Sequence, residues 1–538
     1  MNSPAKHVEL LDYVRGVAIL CVLLFHTLGA TYGVDVLPWQ GWLRDFSLPA
    51  SFLCLLPLSL GQAGVAIFFV VSGFCIHMSF QQSGQRWSSF FIRRFFRIYP
   101  AYFAALLLSV AIIWTHSGMD FRNVEAHAQL ATHLLLIHNF FPLTLTGFNA
   151  SFWSLAVEAQ LYLLYPLLLV GVRKWGWRGT MMLLAGIELA IRGADSFFQT
   201  ADIPGATGST VSWIFANSPL GYWFSWALGA WIAEALLTKQ PMPFTRIPPL
   251  WWLALVVLSY FVKPLYSFLF LFCALTTAAS VARLLTRESA PPVAGRGLAA
   301  LKSLGLWSYS IYLLHQPLLQ TFSFVTVWAV PAQYRSGFVP FGLTLAVWLF
   351  VIPFAILWYR VFELPGIAWG KRMVQRLSPS PTPANPIVAP LPGSAARNGI
   401  PGLAIAGLVI FLIAALVVSA KFSPRAAAEN NNRAWTLATS SDLAIRNGML
   451  AVKLAEDACQ QTQFKETVMV GTLAAAYAES GQFEKAVATA QQACALAERA
   501  GDQKLLQKNQ ELLDLYLKHQ PYHEPKPGAM QAGPDFHF

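Results

Sequence analysis

Ten residues separate Arg15 from His26 in the apolar stretch L-D-Y-V-R-G-V-A-I-L-C-V-L-L-F-H-T. Eleven steps of about 100° return a helix to nearly the same face, displaced by roughly 16 Å along its axis. One apolar helix therefore presents a guanidinium and, three turns on, an imidazole along a single stripe. Ionisable groups inside a membrane helix cost on the order of a few kcal/mol each, so they face a protein interior or a wet cavity. An imidazole titrates near neutrality, which suits it to moving protons. The plainer alternative has Arg15 reaching for the interface and His26 serving as a hydrogen-bonded core residue.

Other residue types with chemical capacity recur in apolar surroundings. Glu158 lies in S-F-W-S-L-A-V-E-A-Q-L-Y-L-L-Y-P. It is expected near the outer side, at the right depth to approach His26, orient it and favour its protonated form. His315 lies in L-W-S-Y-S-I-Y-L-L-H-Q-P-L, where Pro317 should loosen the helix. Arg93, Arg94 and Arg97 lie at the start of another helix. They read either as a bidentate phosphate site or as ordinary positive-inside anchors. Arg360 and Glu363, one turn apart, read as a local ion pair. Ser72 and Gly73 should kink their helix or allow close packing. His127, His133 and His138 are irregularly spaced, and no metal site is expected from them. No nucleotide-binding loop, H-E-x-x-H or soluble G-x-S-x-G unit is present.

The elements that must position these residues are membrane helices. Of 538 residues, 56% are hydrophobic and 12% charged, with mean hydropathy +0.49; soluble domains carry about 25% charged residues. The pattern predicts an all-α, polytopic bundle of about ten core helices plus an eleventh. The spans fall near 9–30, 54–80, 98–116, 151–171, 179–198, 213–237, 248–262, 265–284, 304–330, 340–360 and 400–420. Stretch 128–145 reads as re-entrant or surface structure. The first span has no clear small-residue cleavage site and reads as a retained helix.

The net charge of +11 does not indicate nucleic acid, because Lys and Arg sit mainly in short loops between apolar segments. Their alternation puts the N-terminus in the cytoplasm, Arg15 towards the inner face and His26 towards the outer. Arg44 is an exception in an otherwise Lys/Arg-poor loop. None of the six cysteines has CxxC spacing, so no zinc or redox site is implied.

The domain organisation follows: a membrane domain, 1–376; a Pro-rich cytoplasmic linker, 377–399; the eleventh helix, 400–420; and an extracytoplasmic helical tail, 421–538. In the tail, A-V-K-L-A-E-D-A-C at 451–459 aligns with A-V-A-T-A-Q-Q-A-C at 486–494. The offset of 35 residues and the helix–turn–helix pattern resemble tetratricopeptide repeats. Cys459 and Cys494 are expected at equivalent core positions, and segment 503–518 as a capping helix. Such a tail reads as a docking surface for a protein or peptide.

Taken together, the Arg15–His26 spacing, G-V-A-I-F-F-V-V-S-G-F, R-R-F-F-R-I-Y-P-A-Y, S-F-W-S-L-A-V-E-A-Q-L-Y-L, L-W-S-Y-S-I-Y-L-L-H-Q-P-L and F-E-L-P-G resemble the membrane-bound acyltransferase 3 family. These are the O-antigen and exopolysaccharide O-acetylase-like proteins. The matches run in the family's order over residues 8–370. The resemblance implies transfer of an acyl group, usually acetyl, from cytoplasmic acyl-coenzyme A to a hydroxyl on an extracytoplasmic glycan. His26 would match the catalytic histidine and Arg15 its partner. The family often has a second acid where this chain has Ala159, which leaves only a secondary contact in doubt.

The mechanism expected from this docks coenzyme phosphates on Arg93, Arg94 and Arg97 and runs the pantetheine arm past Arg15. His26 acts as general base or transient acyl carrier, oriented by Glu158 or His315. Two rivals stand beside it. One is a glycan or lipid-linked sugar transporter or flippase, against which no inverted repeat with paired broken helices is seen. The other is a scaffold, in which the tail recruits envelope proteins.

Overall fold

The computed structural model describes residues 4–32, 50–117, 124–141, 144–145, 147–200, 217–286, 295–328, 337–377, 424–443, 445–462 and 464–525. The expected eleventh helix, the Pro-rich linker beyond Leu377, Arg44 and the end of the tail lie outside the described residues. Contacts divide the chain into a membrane unit and a C-terminal helical unit. Among the described residues every regular element is a helix.

The membrane unit opens with α1, Pro4–Tyr32. Next come the short α2, Ala50–Leu55, a 3-10 turn at Leu56–Ala63 and α3, Gly64–Gln82. Sequence pattern reads 54–80 as one span. Pro57 starts the 3-10 turn instead, because its missing N–H suits a helix's first turn and breaks a continuing one. Helix α4, Trp87–Ser117, begins a full eleven residues before the expected span at 98. Its arginine-bearing first turns look like a loop to hydropathy, although they remain helical. α5, Val124–Leu134, is short and followed by turns, so stretch 128–145 contains no spanning helix.

Helix α6, Phe152–Thr200, has two arms that meet at Gly176, whose φ of 68° is open to glycine at little cost. A Cβ built on Gly171 would lie 3.1 Å from the Thr180 side chain, so the second arm folds back on the first. The two spans expected at 151–171 and 179–198 are these arms. The unit continues with α7, Trp223–Thr238; α8, Pro249–Phe261; α9, Leu269–Thr286; and α10, Arg296–Trp328. It ends with α11, Val339–Ala346; α12, Trp348–Trp358; a π turn at Tyr359–Glu363; and α13, Leu364–Leu377. Six described helical segments are long and apolar enough to cross a membrane.

Two glycine contacts set the bundle. A Cβ on Gly305 of α10 would lie 1.8 Å from the Asp12 carbonyl oxygen, and one on Gly16 of α1 would lie 2.1 Å from that of Leu301. The α1 and α10 backbones therefore touch, as small residues permit in membrane helices. Gly73 and Gly229 do the same for α3 and α7, so Gly73 is there for close packing while α3 runs on through it.

Two polar clusters tie helices together inside the bundle. Arg192 donates to Glu188, Ser267 and Gly221, while Glu188 also accepts from the Ser225 backbone and hydroxyl. His77 of α3 donates to Glu234 of α7 at 2.8 Å and accepts from Tyr165 of α6 at 3.0 Å, tying three helices.

The C-terminal unit comprises α14, Pro424–Thr439; α15, Gly448–Gln461; α16, Thr467–Glu479; α17, Phe483–Ala500; and α18, Gln503–Leu517. Each packs on the next through an alanine-rich core. Asn447 and Asp502 cap α15 and α18 by accepting from Leu450 and Leu505 backbone N–H groups. The repeated segments fall on α15 and α17. Ala451 and Ala486, Ala455 and Ala490, and Ala458 and Ala493 are buried in matching pairs. The expected equivalence stops at the cysteines. Cys459 is buried and Cys494 is half-buried, and both are free thiols.

Candidate active site

A cavity with about 780 Å³ of empty space, including its open mouth, lies among α1, α3, α4, α6 and α10. Arg15, Arg94, Arg97 and Glu158 line it, with Ser72, Cys75, Ser154, Tyr162, Tyr309 and Tyr312. Three guanidinium groups line it against one carboxylate, and with Asp12 paired to Arg15 the guanidinium groups still outnumber the acids. In a low-dielectric bundle that excess draws in an anion.

Each charged group is held differently. Arg15 donates to Asp12 one turn earlier at 3.1 Å and to the Cys75 sulfur at 3.0 Å. Arg94 donates to Ser79 at 2.8 Å and stands 5.8 Å from the Phe90 ring centroid. Arg97 makes no hydrogen bond to another side chain or carbonyl among the described residues, so its planar fork is available to a ligand. Arg93 is not in the cavity; its backbone packs against Gly370 of α13. Of the three expected phosphate-binding arginines, the structure brings Arg94 and Arg97 into the cavity and leaves out Arg93, where Gly370 of α13 packs on its backbone.

Glu158 corrects a second expectation. It accepts from Ser72 and from Tyr162, each at 2.5 Å, and shares the cavity with Arg15. His26 is not among the cavity's lining residues. Glu158 thus belongs to the arginine end of α6. Ser151, seven residues earlier and so roughly 10 Å along the axis, reaches the histidines instead. Glu363 likewise does not pair with Arg360: it is buried and accepts from Ser310 at 2.8 Å, while Arg360 is exposed.

The histidine end is built around a proline. Pro317 has no N–H to offer the Leu313 carbonyl one turn back, and Asn149 donates to that carbonyl in its place at 3.2 Å. The Asn149 side chain also accepts from the Ser151 backbone at 2.9 Å, which fixes Ser151 beside α10. Here His315, fully buried, donates from Nδ1 to the Tyr312 carbonyl at 2.7 Å, so its Nε2 is the acceptor. Ser151 Oγ stands 3.2 Å from that Nε2 and also against the Gln316 amide. One hydroxyl proton satisfies everything when Ser151 donates to His315 and the Gln316 NH2 faces Ser151.

His26 meets His315 edge to face, ring centroids 4.6 Å apart. Its Nδ1 donates to the Val22 carbonyl at 2.9 Å, which places the ring's lone pair on Nε2. Trp348 of α12 donates to Thr27 at 2.8 Å and locks this end of α1. Tyr312 joins the two ends. It lines the cavity, bonds Ser154 at 2.7 Å and the Ser151 carbonyl at 3.0 Å, and packs against the His315 ring at 5.2 Å.

Ser151, Ser154 and Tyr312, absent from the candidates above, do carry a signal in the sequence. Ser151, Ser154, Glu158 and Tyr162 are spaced 3, 4 and 4, a polar stripe on an otherwise apolar helix. Ser308, Tyr312 and His315 form a matching stripe on α10. Away from the cavity, His133 and His138 stack with centroids 4.0 Å apart and planes 4° from parallel. Burial pushes them down to about 4 and about 3, with the His133 charge a second cause for His138.

Fold and site define a multi-pass membrane protein with an arginine-lined cavity near a histidine pair. A family model described as "Acyltransferase domain" matches residues 8–363, well over half of the chain, and the protein belongs to that family of membrane O-acyltransferases. The chain is 28% identical over 269 residues to Acyltransferase MdmB of Streptomyces mycarofaciens, covering 48% of this chain and 68% of that protein. It is 26% identical over 226 residues to Nodulation protein 10 of Rhizobium leguminosarum bv. viciae, covering 37% and 57%. It is 25% identical over 219 residues to the peptidoglycan O-acetyltransferase OatA of Listeria monocytogenes, covering 38% and 31%. No solved structure matches it.

Proposed function

We propose that the protein moves an acetyl group from cytoplasmic acetyl-coenzyme A to a hydroxyl of an extracytoplasmic glycan. The observation that carries this reading is a chain of contacts: Tyr312, which lines the arginine cavity, packs against His315, and His315 against His26. Phosphates of the donor bind Arg94 and Arg97, and the pantetheine arm extends along α1 past Arg15. His26 Nε2 takes the proton of the acceptor hydroxyl as its oxygen attacks the thioester carbonyl. The carbon–sulfur bond then breaks and the coenzyme leaves as thiolate, which recovers a proton from the imidazolium. His315, held by Ser151 and the Tyr312 carbonyl, positions the His26 ring.

The reading places the protein in the inner membrane of the cell, N-terminus in the cytoplasm. Its helical tail, outside, is a tetratricopeptide-like module for a protein partner. The name of the Listeria relative supports a glycan acceptor. Membrane vesicles bearing the protein, given acetyl-labelled coenzyme A and cell-envelope glycans, test the proposal. Label on glycan, removable by mild base as an ester is, supports it. Label confined to lipid or protein, or transport of glycan with no label transferred, overturns it.

A further inference from the structure

The last described stretch of the chain folds back over its own helical unit. The Glu524 backbone N–H donates to the Thr439 carbonyl at the end of α14, at 2.7 Å, and the Glu524 carboxylate accepts from Trp435 Nε1 at 2.7 Å. The Tyr522 ring lies 6.0 Å from that of Trp435, centroid to centroid, and 4.5 Å from Lys508 Nζ of α18. His523 accepts from Arg446 at 2.9 Å and donates to Glu479 of α16 at 2.7 Å. His519 stacks on Phe483 at 5.0 Å. After His519 and Gln520 close α18 in a turn, residues 521–525 thus run across α14, the Arg446 loop, α16 and α18 as an extended peptide would.

The contacts are also exchangeable. His523 and Glu524 are exposed, and Tyr522 is half-buried at the edge of the core. Exposed ion pairs and hydrogen bonds of this kind hold weakly. The receiving face offers a ring and an ammonium to an aromatic side chain, and an indole N–H to a carboxylate two residues further on.

We propose that this face is a docking site for an extended peptide of another protein, one carrying an aromatic residue and, two residues on, a carboxylate. The chain's own residues 521–525 fill the face until such a partner displaces them. The inference is independent of the acyl-transfer reading, since it concerns the C-terminal unit alone.

The test uses the full-length protein in detergent micelles and a fluorescent synthetic peptide of residues 519–525, followed by anisotropy. In the wild type the tethered segment competes at an effective concentration on the order of millimolar, so added peptide binds poorly. The double variant Y522A/E524A is expected to bind the peptide at least tenfold more tightly. In that background W435F, which removes the indole donor, and R446Q, which removes the guanidinium charge, should each weaken binding at least fivefold. If Y522A/E524A melts earlier than wild type, Glu524→Gln alone is read in the same way, with a gain of about threefold expected. No gain on opening, or binding indifferent to W435F and R446Q, overturns the proposal. A wild-type dimer that Y522A/E524A converts to monomer assigns the face to a second copy and also overturns it.

Discussion

Replacing Ser151 with alanine separates the two ends of the site. The change removes the hydroxyl beside both His315 Nε2 and the Gln316 amide. His315 is fully buried, so its acceptor nitrogen is left without a donor. An unmet buried polar group costs about 1–3 kcal/mol. At about 1.4 kcal/mol per tenfold change, the productive orientation of the histidine pair falls by about 5- to 150-fold. That loss belongs in kcat. The KM for acetyl-coenzyme A should stay within about twofold, because Ser151 does not line the cavity. Initial rates of label transfer in membrane vesicles, with donor concentration varied and melting temperature checked, give both constants. A kcat within twofold of wild type, or a loss carried by KM alone, refutes the positioning role.

Three further outcomes follow from the same geometry. Arg97→Ala should raise the donor KM by about 10- to 150-fold, the worth of a charge-assisted hydrogen bond of about 1.5–3 kcal/mol, whereas Arg93→Ala should leave it within about twofold; equal effects would contradict the cavity's makeup. Gly305→Ala puts a methyl 1.8 Å from the Asp12 carbonyl and must part α1 from α10. An overpacking loss of about 1–3 kcal/mol and a lower melting temperature are expected, and unchanged melting would contradict the helix contact. His133 and His138 are buried neutral with lowered pKa values. Below about pH 6.5 the unfolded chain takes up protons that the folded one refuses. Stability should therefore hold above that pH, fall towards pH 3 and level off below it, with His133 alone contributing about 3 kcal/mol. Thermal unfolding in detergent across that range measures this, and a His133→Asn/His138→Asn double variant with the same acid sensitivity would assign the effect elsewhere.

The sequence made the helices and the Arg15–His26 stripe legible, since both depend on local spacing and composition. The back-folded arms of α6 were legible too, although Gly176 as their hinge was not singled out. Which face of one helix meets which of another was not legible. That register depends on backbone contacts such as those of Gly16 and Gly305, and no periodicity within a single helix records them. Glu158 was accordingly assigned to His26 when two turns of α6 put Ser151 there. Arg93 lies one turn before Arg97 on the same side of α4, so spacing alone groups it with Arg94 and Arg97; only the packing of α13 against it keeps it out of the cavity. In the tail, the 35-residue offset marked the paired alanines, but how deeply Cys494 is covered depends on the neighbouring helices.

The central claim is that His26 takes the acceptor's proton. It is tested most directly by the rate of acetyl transfer to envelope glycans in His26→Ala vesicles, with donor binding measured on the same preparation. General-base catalysis contributes about 10²- to 10⁴-fold. The account predicts a loss of that size with coenzyme A still bound at Arg94 and Arg97. Transfer at the wild-type rate would contradict it.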